Sequence, residues 1–173
     1  MPVIVQDETG LIANANSYIA TTFLDTWLTS IGITTSYTED QKNAAVITAT
    51  RYIDSIYEFA GTKVNDDEDV FVQTTEFPRE TDTEDSGIRL WLQRATAEYA
   101  KFILVNGAES LWNNVSTDDM GISRLKEKVA DLEIDTSYSG SSSGQAVASV
   151  PIADNLIRKS GWLANSSGVI TRC

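Results

Sequence analysis

Apolar residues recur with helical spacing from Ile88 to Asn106. Ile88, Trp91, Leu92, Ala95, Tyr99, Phe102 and Ile103 fall at i, i+3, i+4 and i+7 and predict one continuous apolar stripe. Arg89, Gln93 and Thr96 lie off that stripe, as a solvated edge would. Gly107 follows where a left-handed residue closes a last helical turn. A second, thinner apolar line of Leu90, Ala97 and Leu104 runs up the opposite side. The pattern predicts a central helix with neighbours on both sides; the alternative is that the second line meets another subunit.

Two helices are predicted before it. The first begins near Thr21 or Thr22 and turns Phe23, Trp27, Leu28 and Ile31 inward, ending at Gly32. The second carries the clearest start signal, a capping box with Thr38 as N-cap and Gln41 reaching back to it. Its stripe is Ala45, Ala49, Tyr52, Ile53, Ile56 and Ala60, with Gly61 as the stop. Ahead of both, the run Pro2–Val5 is a short strand candidate.

The segment Thr62–Gly87 is acidic, with one β-like run at Val70–Gln73. Asn65, Asp67, Asp69, Gln73 and Glu76 stand at positions 1, 3, 5, 9 and 12 of a calcium-binding EF-hand loop. Val70 stands where that loop needs Gly, and Pro78 obstructs the following helix, which favours a solvated acidic loop. After Gly107, Leu111 and Trp112 are expected to pack back on the core. Gly121–Tyr138 carries both helical and alternating spacing, and an extended, hairpin-like arm is the favoured reading. Ser139–Gln145 (SGSSSGQ) has linker composition. A short helix follows, capped by Ser149 with Pro151 in its first turn; Ile152, Leu156, Ile157 and Trp162 form its apolar side. That segment either docks on a partner or folds back on its own bundle. The expected layout is a bundle with an arm over 1–138, a linker over 139–148 and a docking segment over 149–173.

Composition narrows the chemistry. The 173 residues carry 13 Lys and Arg against 25 Asp and Glu, a formal charge of -12, which argues against general affinity for phosphate backbones. There is no His, and the only Cys is Cys173, so the usual nucleophile–base pairs and metal-ligand sets are lacking. No enzyme, cofactor or metal site is expected. The N-terminus lacks a signal-peptide pattern, and no apolar run approaches the ~20 residues that span a bilayer. A soluble chain made in a reducing cytoplasm is expected.

The order of segments is itself informative. NANSYI at Asn14–Ile19 precedes a short helix, and ATRYID at Ala49–Asp54 lies on a long one. Phe77–Arg79 (FPR), RATAEYA at Arg94–Ala100, KEKV at Lys126–Val129 and PIADNL at Pro151–Leu156 follow. This series resembles the head-to-tail adaptor (head completion, connector) proteins of tailed phages, a group often labelled DnaT-like single-stranded DNA-binding. It departs from them at Phe77, where Trp is more frequent, and in the length of the Ser-rich linker. The resemblance implies a mainly α, small helical bundle with an extended arm and a flexible C-terminal tail. It implies assembly into a ring of about twelve subunits beneath the portal. Such a ring extends the DNA channel and offers a platform to a tail or stopper protein in the virion neck. Acidic walls would let double-stranded DNA pass without binding. On this reading Leu90, Ala97, Leu104, Phe77, Arg79, Pro151, Ile152, Leu156, Ile157 and Trp162 are the residues expected to meet partners. The alternative is a single-stranded DNA-binding replication accessory protein; aromatic side chains favour it, and the lack of a basic groove weighs against it.

Overall fold

The computed structural model describes residues 1–34, 36–67, 71–80, 88–112, 124–129, 132–137 and 150–164. Among these the fold is mainly helical. Four α-helices are present, α1 (Thr21–Ser30), α2 (Glu39–Ile56), α3 (Leu90–Asn106) and α4 (Pro151–Arg158), with a 3-10 turn at Ala108–Leu111. Six short strands pair as antiparallel ladders: β1 (Thr62–Lys63) with β4 (Arg79–Glu80), β2 (Asp66–Asp67) with β3 (Phe71–Val72), and β5 (Arg124–Val129) with β6 (Leu132–Ser137). The chain forms two compact units, one of Met1–Ala108 with the segment from Ser149, the other of Glu109–Ala148. The expected boundary at residue 138 is therefore replaced by one that keeps α4 with the bundle.

The first unit is built around α3. Residues 95–100 are buried one after another, so this helix is enclosed on every side over its middle turns. An ordinary surface helix buries only a stripe; here α2 packs on one side, α4 on another and α1 on a third. Thr96, expected at a solvated edge, is fully buried and donates its hydroxyl to Leu92 O at 2.8 Å. That bond satisfies a hydroxyl that the helix carries into the core. Gly107, at φ 88°, closes the helix as its position predicted.

Helix α2 starts at the capping box as read from the sequence, with Gln41 N donating to Thr38 Oγ1 and Thr38 N to Gln41 Oε1. It stops earlier than expected, at Ile56, because Tyr57 turns to extended backbone. Ile56 and Ile31, both expected inside, are exposed, and in α1 Leu24 joins Leu28 in the core while Phe23 and Trp27 are half-buried.

Phe77 lies at the centre of the aromatic core. Its ring is fully buried, 4.9 Å from Phe59, 5.6 Å from Trp91 and Trp162, and 6.4 Å from Tyr18, with edge-on geometry throughout. The Phe77–Pro78 peptide bond is cis. The neighbouring Gln73 is buried and donates Nε2 to Thr75 O at 2.8 Å and Pro78 O at 3.0 Å. With its amide nitrogen fixed, its Oε1 faces Gly10, where an added Cβ would lie 2.4 Å away; Gly10 also sits at φ +69°. Gly10→Ala is expected to lower stability by roughly 2–4 kcal/mol, since backbone strain and an immovable neighbour act together. Urea denaturation would measure it, and a loss under ~1 kcal/mol would show that the Gln73 amide can swing aside.

Among the described residues, the positions of the calcium-loop spacing have other roles. Asp66–Asp67 and Phe71–Val72 close a hairpin instead. Gln73 is committed to backbone carbonyls, and Glu76 to Lys63 at 3.0 Å and Arg79 at 2.5 Å. Asp69 lies outside the described residues. The expected strand at Pro2–Val5 is reduced to one bridge, Val5 to Ser17. The expected arm is present as β5 and β6, while residues 139–149 lie outside the described residues.

Candidate nucleic-acid interface

The packing of α1 on α3 creates an aromatic–cation pair on the surface. Trp27, one turn before the end of α1, is half-buried and donates indole Nε1 to Glu98 Oε1 at 3.0 Å. Glu98 is only 2% exposed, and its other oxygen accepts from Lys101 Nζ, so both carboxylate oxygens are satisfied. A buried carboxylate held this way fixes the plane of the indole it accepts from. Arg94, one turn before Glu98 on α3, is exposed and places its guanidinium 5.9 Å from the Trp27 ring centroid. It makes no ion pair with any described residue.

The same packing answers the question of the second apolar line on α3. Ala97 lies between Arg94 and Glu98 and is fully buried. Fully enclosed within the first unit, it is part of the fold. Leu90, at the open end of that line, is 52% exposed, and Leu104 is half-buried.

Most other residues expected to meet partners are also used internally. Phe77 and Trp162 belong to the aromatic core, and Ile157 is fully buried. Arg79 donates Nε to Ala60 O at 3.0 Å and Nη2 to Gly61 O at 2.6 Å, besides its pair with Glu76. Helix α4 begins at Pro151 after Val150, not Ser149, and presents Ala153 and Ile157 inward. Pro151 and Ile152 are exposed and Leu156 is half-buried. The segment expected as a detachable dock thus folds back on its own bundle, because its first turn also supplies a polar anchor. Asp154 Oδ1 accepts from Tyr57 OH at 2.9 Å and from Tyr99 OH, and the two hydroxyls lie 2.9 Å apart. Burial pushes both phenols well above their ordinary range, so they remain neutral donors.

A second enclosed carboxylate sits on α2. Asp54 accepts from Tyr18 OH at 2.5 Å and from Glu76 N at 3.3 Å, and Tyr18 OH in turn accepts from Phe77 N at 3.1 Å. The residue is half-buried, but its carboxyl is turned inward, and desolvation raises its pKa to about 7. Tyr18 and the Glu76 amide act against that rise, and the Glu76 charge adds to it. No group of three or more His, Cys, Asp or Glu side chains among the described residues is placed to hold a metal ion.

Positive charge is sparse and scattered. Lys42 is held by Asp25 at 2.8 Å and Glu39 at 3.0 Å, and Lys63 by Glu76. Among the described residues Arg51, Arg158 and Lys159 are exposed and carry no ion pair. In the second unit Arg124, Lys126 and Lys128 alternate along β5, opposite Ser137, Asp135 and Glu133 of β6. Trp112, also in that unit, is 49% exposed, whereas Leu111 is buried as expected. No helix among the described residues is long and apolar enough to cross a membrane.

The described residues therefore define a small, mainly helical protein with an exposed arginine, Arg94, over the Trp27 ring and further exposed cations dispersed elsewhere. The chain belongs to the family described as "Putative DnaT-like ssDNA binding protein", whose model matches residues 1–172. No curated protein and no solved structure matches the chain. The family match overturns the head-to-tail adaptor role expected from the resemblance and agrees with its alternative, single-stranded DNA binding. A charge of -12 describes the whole surface, whereas a strand is held by the side chains within about a Debye length, ~10 Å at 0.1 M salt. The RATAEYA motif places an arginine near aromatics in the sequence itself. Its pairing with a tryptophan on another helix has no sequence signal.

Proposed function

We propose that this chain is a non-enzymatic single-stranded DNA-binding protein. The observation that carries the reading is the family match over residues 1–172. The surface chemistry supports it: aromatic rings and unpaired guanidinium groups are what a sequence-tolerant single-strand binder uses, with stacking supplying much of the affinity. Because the described cations are few and dispersed, the strand is held through few phosphates. The salt dependence should accordingly be shallow, with a log–log slope of roughly -2, as two to three phosphate contacts at about -0.7 each would give. A fluorescent oligo(dT) of ~20 nucleotides, titrated with the full-length protein between ~20 and ~200 mM salt, measures both affinity and slope. The expected result is saturable binding that weakens gently with salt. Absence of binding at ~20 mM salt would remove the reading.

A further inference from the structure

We infer that the Trp27–Arg94 pair on the α1–α3 face is a nucleobase platform, at which one unpaired base of a single strand stacks and its flanking phosphate is held. The inference rests on the single-strand-binding reading and deepens it by naming where a base is met.

The geometry carries the assignment in three steps. Trp27 is half-buried with its one polar atom, Nε1, already engaged by Glu98 at 3.0 Å, so the ring offers only its π surface and edge to solvent. Glu98 is enclosed and held by Lys101, so the ring cannot rotate without breaking a buried, charge-compensated bond. A ring already ordered gives up little conformational freedom when a base stacks on it. Arg94 completes the platform. In a chain with 25 carboxylates this exposed guanidinium makes no ion pair with a described residue and lies over the indole at 5.9 Å. An arginine engaged through its face keeps its five N–H donors for a phosphate, and its outer plane accepts a base as readily as an aromatic ring does. The exposed Leu90, one turn ahead on α3, adds an apolar edge. A duplex presents its bases already stacked and cannot use such a site, whereas a single strand can.

The test compares wild type, Arg94→Gln and Trp27→Phe on two oligonucleotides of equal length, one of thymidines and one in which every base is replaced by an abasic site. Far-UV circular dichroism confirms that each variant is folded. Wild type should bind the thymidine strand at least fivefold more tightly than the abasic one. Arg94→Gln should weaken binding to the thymidine strand about tenfold while changing abasic binding no more than threefold, as loss of one stacked base and one phosphate contact predicts. Wild type's intrinsic tryptophan fluorescence should fall on binding the thymidine strand, and most of that fall should vanish in Trp27→Phe. Equal wild-type affinity for the two strands, or an unchanged Arg94→Gln, would overturn the platform while leaving single-strand binding in place. Wild type failing to bind either strand at low salt would overturn the single-strand reading and the platform with it.

Discussion

A chain cut before Ser149 should lose the cooperative fold of its helical unit. The cut removes Val150, Ala153, Ile157 and Trp162, all of them buried. Burying a large apolar side chain contributes about 1.5–3 kcal/mol, so Val150, Ile157 and Trp162 together represent on the order of 5–8 kcal/mol. Domains of this size are stable by only about 5–15 kcal/mol in total, so the loss is comparable with everything available. Two further effects act in the same direction. Trp162 O accepts from Ala60 N at 2.8 Å and Ala164 N donates to Glu58 O at 3.0 Å, tying the segment to the chain after α2. Tyr57 and Tyr99 lose Asp154 as their shared acceptor and keep only each other, which leaves one hydroxyl donor unsatisfied at a cost of about 1–3 kcal/mol. Far-UV circular dichroism and thermal melting of the truncated chain should show reduced helicity and no cooperative transition. Ile157→Ala supplies a graded version, with an expected loss of about 2–5 kcal/mol. A truncated chain melting within ~3 °C of full length would show that α4 is an appendage after all.

That expectation reverses what linker composition suggests, and the reason separates what the sequence can say from what it cannot. Signals confined to one helix read correctly. Thr38 and Gln41 cap α2 because both bonds close within four residues, and Gly107 closes α3 because its left-handed φ is a local requirement. The two apolar lines on α3 correctly announce neighbours on both sides. Which neighbours they are depends on residues far apart in the chain. Asp154 and the hydroxyls of Tyr57 and Tyr99 meet across 97 and 55 positions, and no spacing rule predicts that a short helix after a Ser-rich stretch carries the acceptor for two buried phenols. The calcium-loop spacing shows the converse limit. Its side-chain types recur at the correct intervals, but a hairpin at Asp66–Val72 sends Gln73 and Glu76 to other partners. The candidate site shows both limits together. Sequence patterning marks Trp27 as a packing residue and Arg94 as part of a motif. Only the crossing of α1 on α3 brings them to 5.9 Å, with Glu98 buried beneath.

Replacing Asp54 by Asn should stabilise the protein at neutral and alkaline pH and leave it nearly unchanged only below about pH 4. The ordinary pKa of an Asp, 3.8, rises to about 7 here because the carboxyl is withdrawn from water, with the Glu76 charge adding to the effect and Lys63 and the Tyr18 hydroxyl opposing it. Between those two values the folded protein retains a proton that the unfolded chain releases. Stability contributed by this group therefore falls as pH rises from about 4 to about 7, and levels off above. The full cost of ionising it in place is at most about 4 kcal/mol, three pKa units at 1.36 kcal/mol each, reduced by whatever water reaches the carboxyl. Neutral Asp54 keeps a carbonyl oxygen to accept from Tyr18 OH, and the carbonyl introduced by Asp54→Asn can take the same hydrogen bond without the charge that the site desolvates. Denaturant melts of wild type and Asp54→Asn from pH 5 to pH 8 isolate the group, because titrations elsewhere are common to both proteins. The difference should grow with pH in favour of the variant, reaching about 2–4 kcal/mol at pH 8. A constant difference across that range would mean that Asp54 is already ionised at pH 5, with Tyr18 and the Glu76 amide outweighing its desolvation.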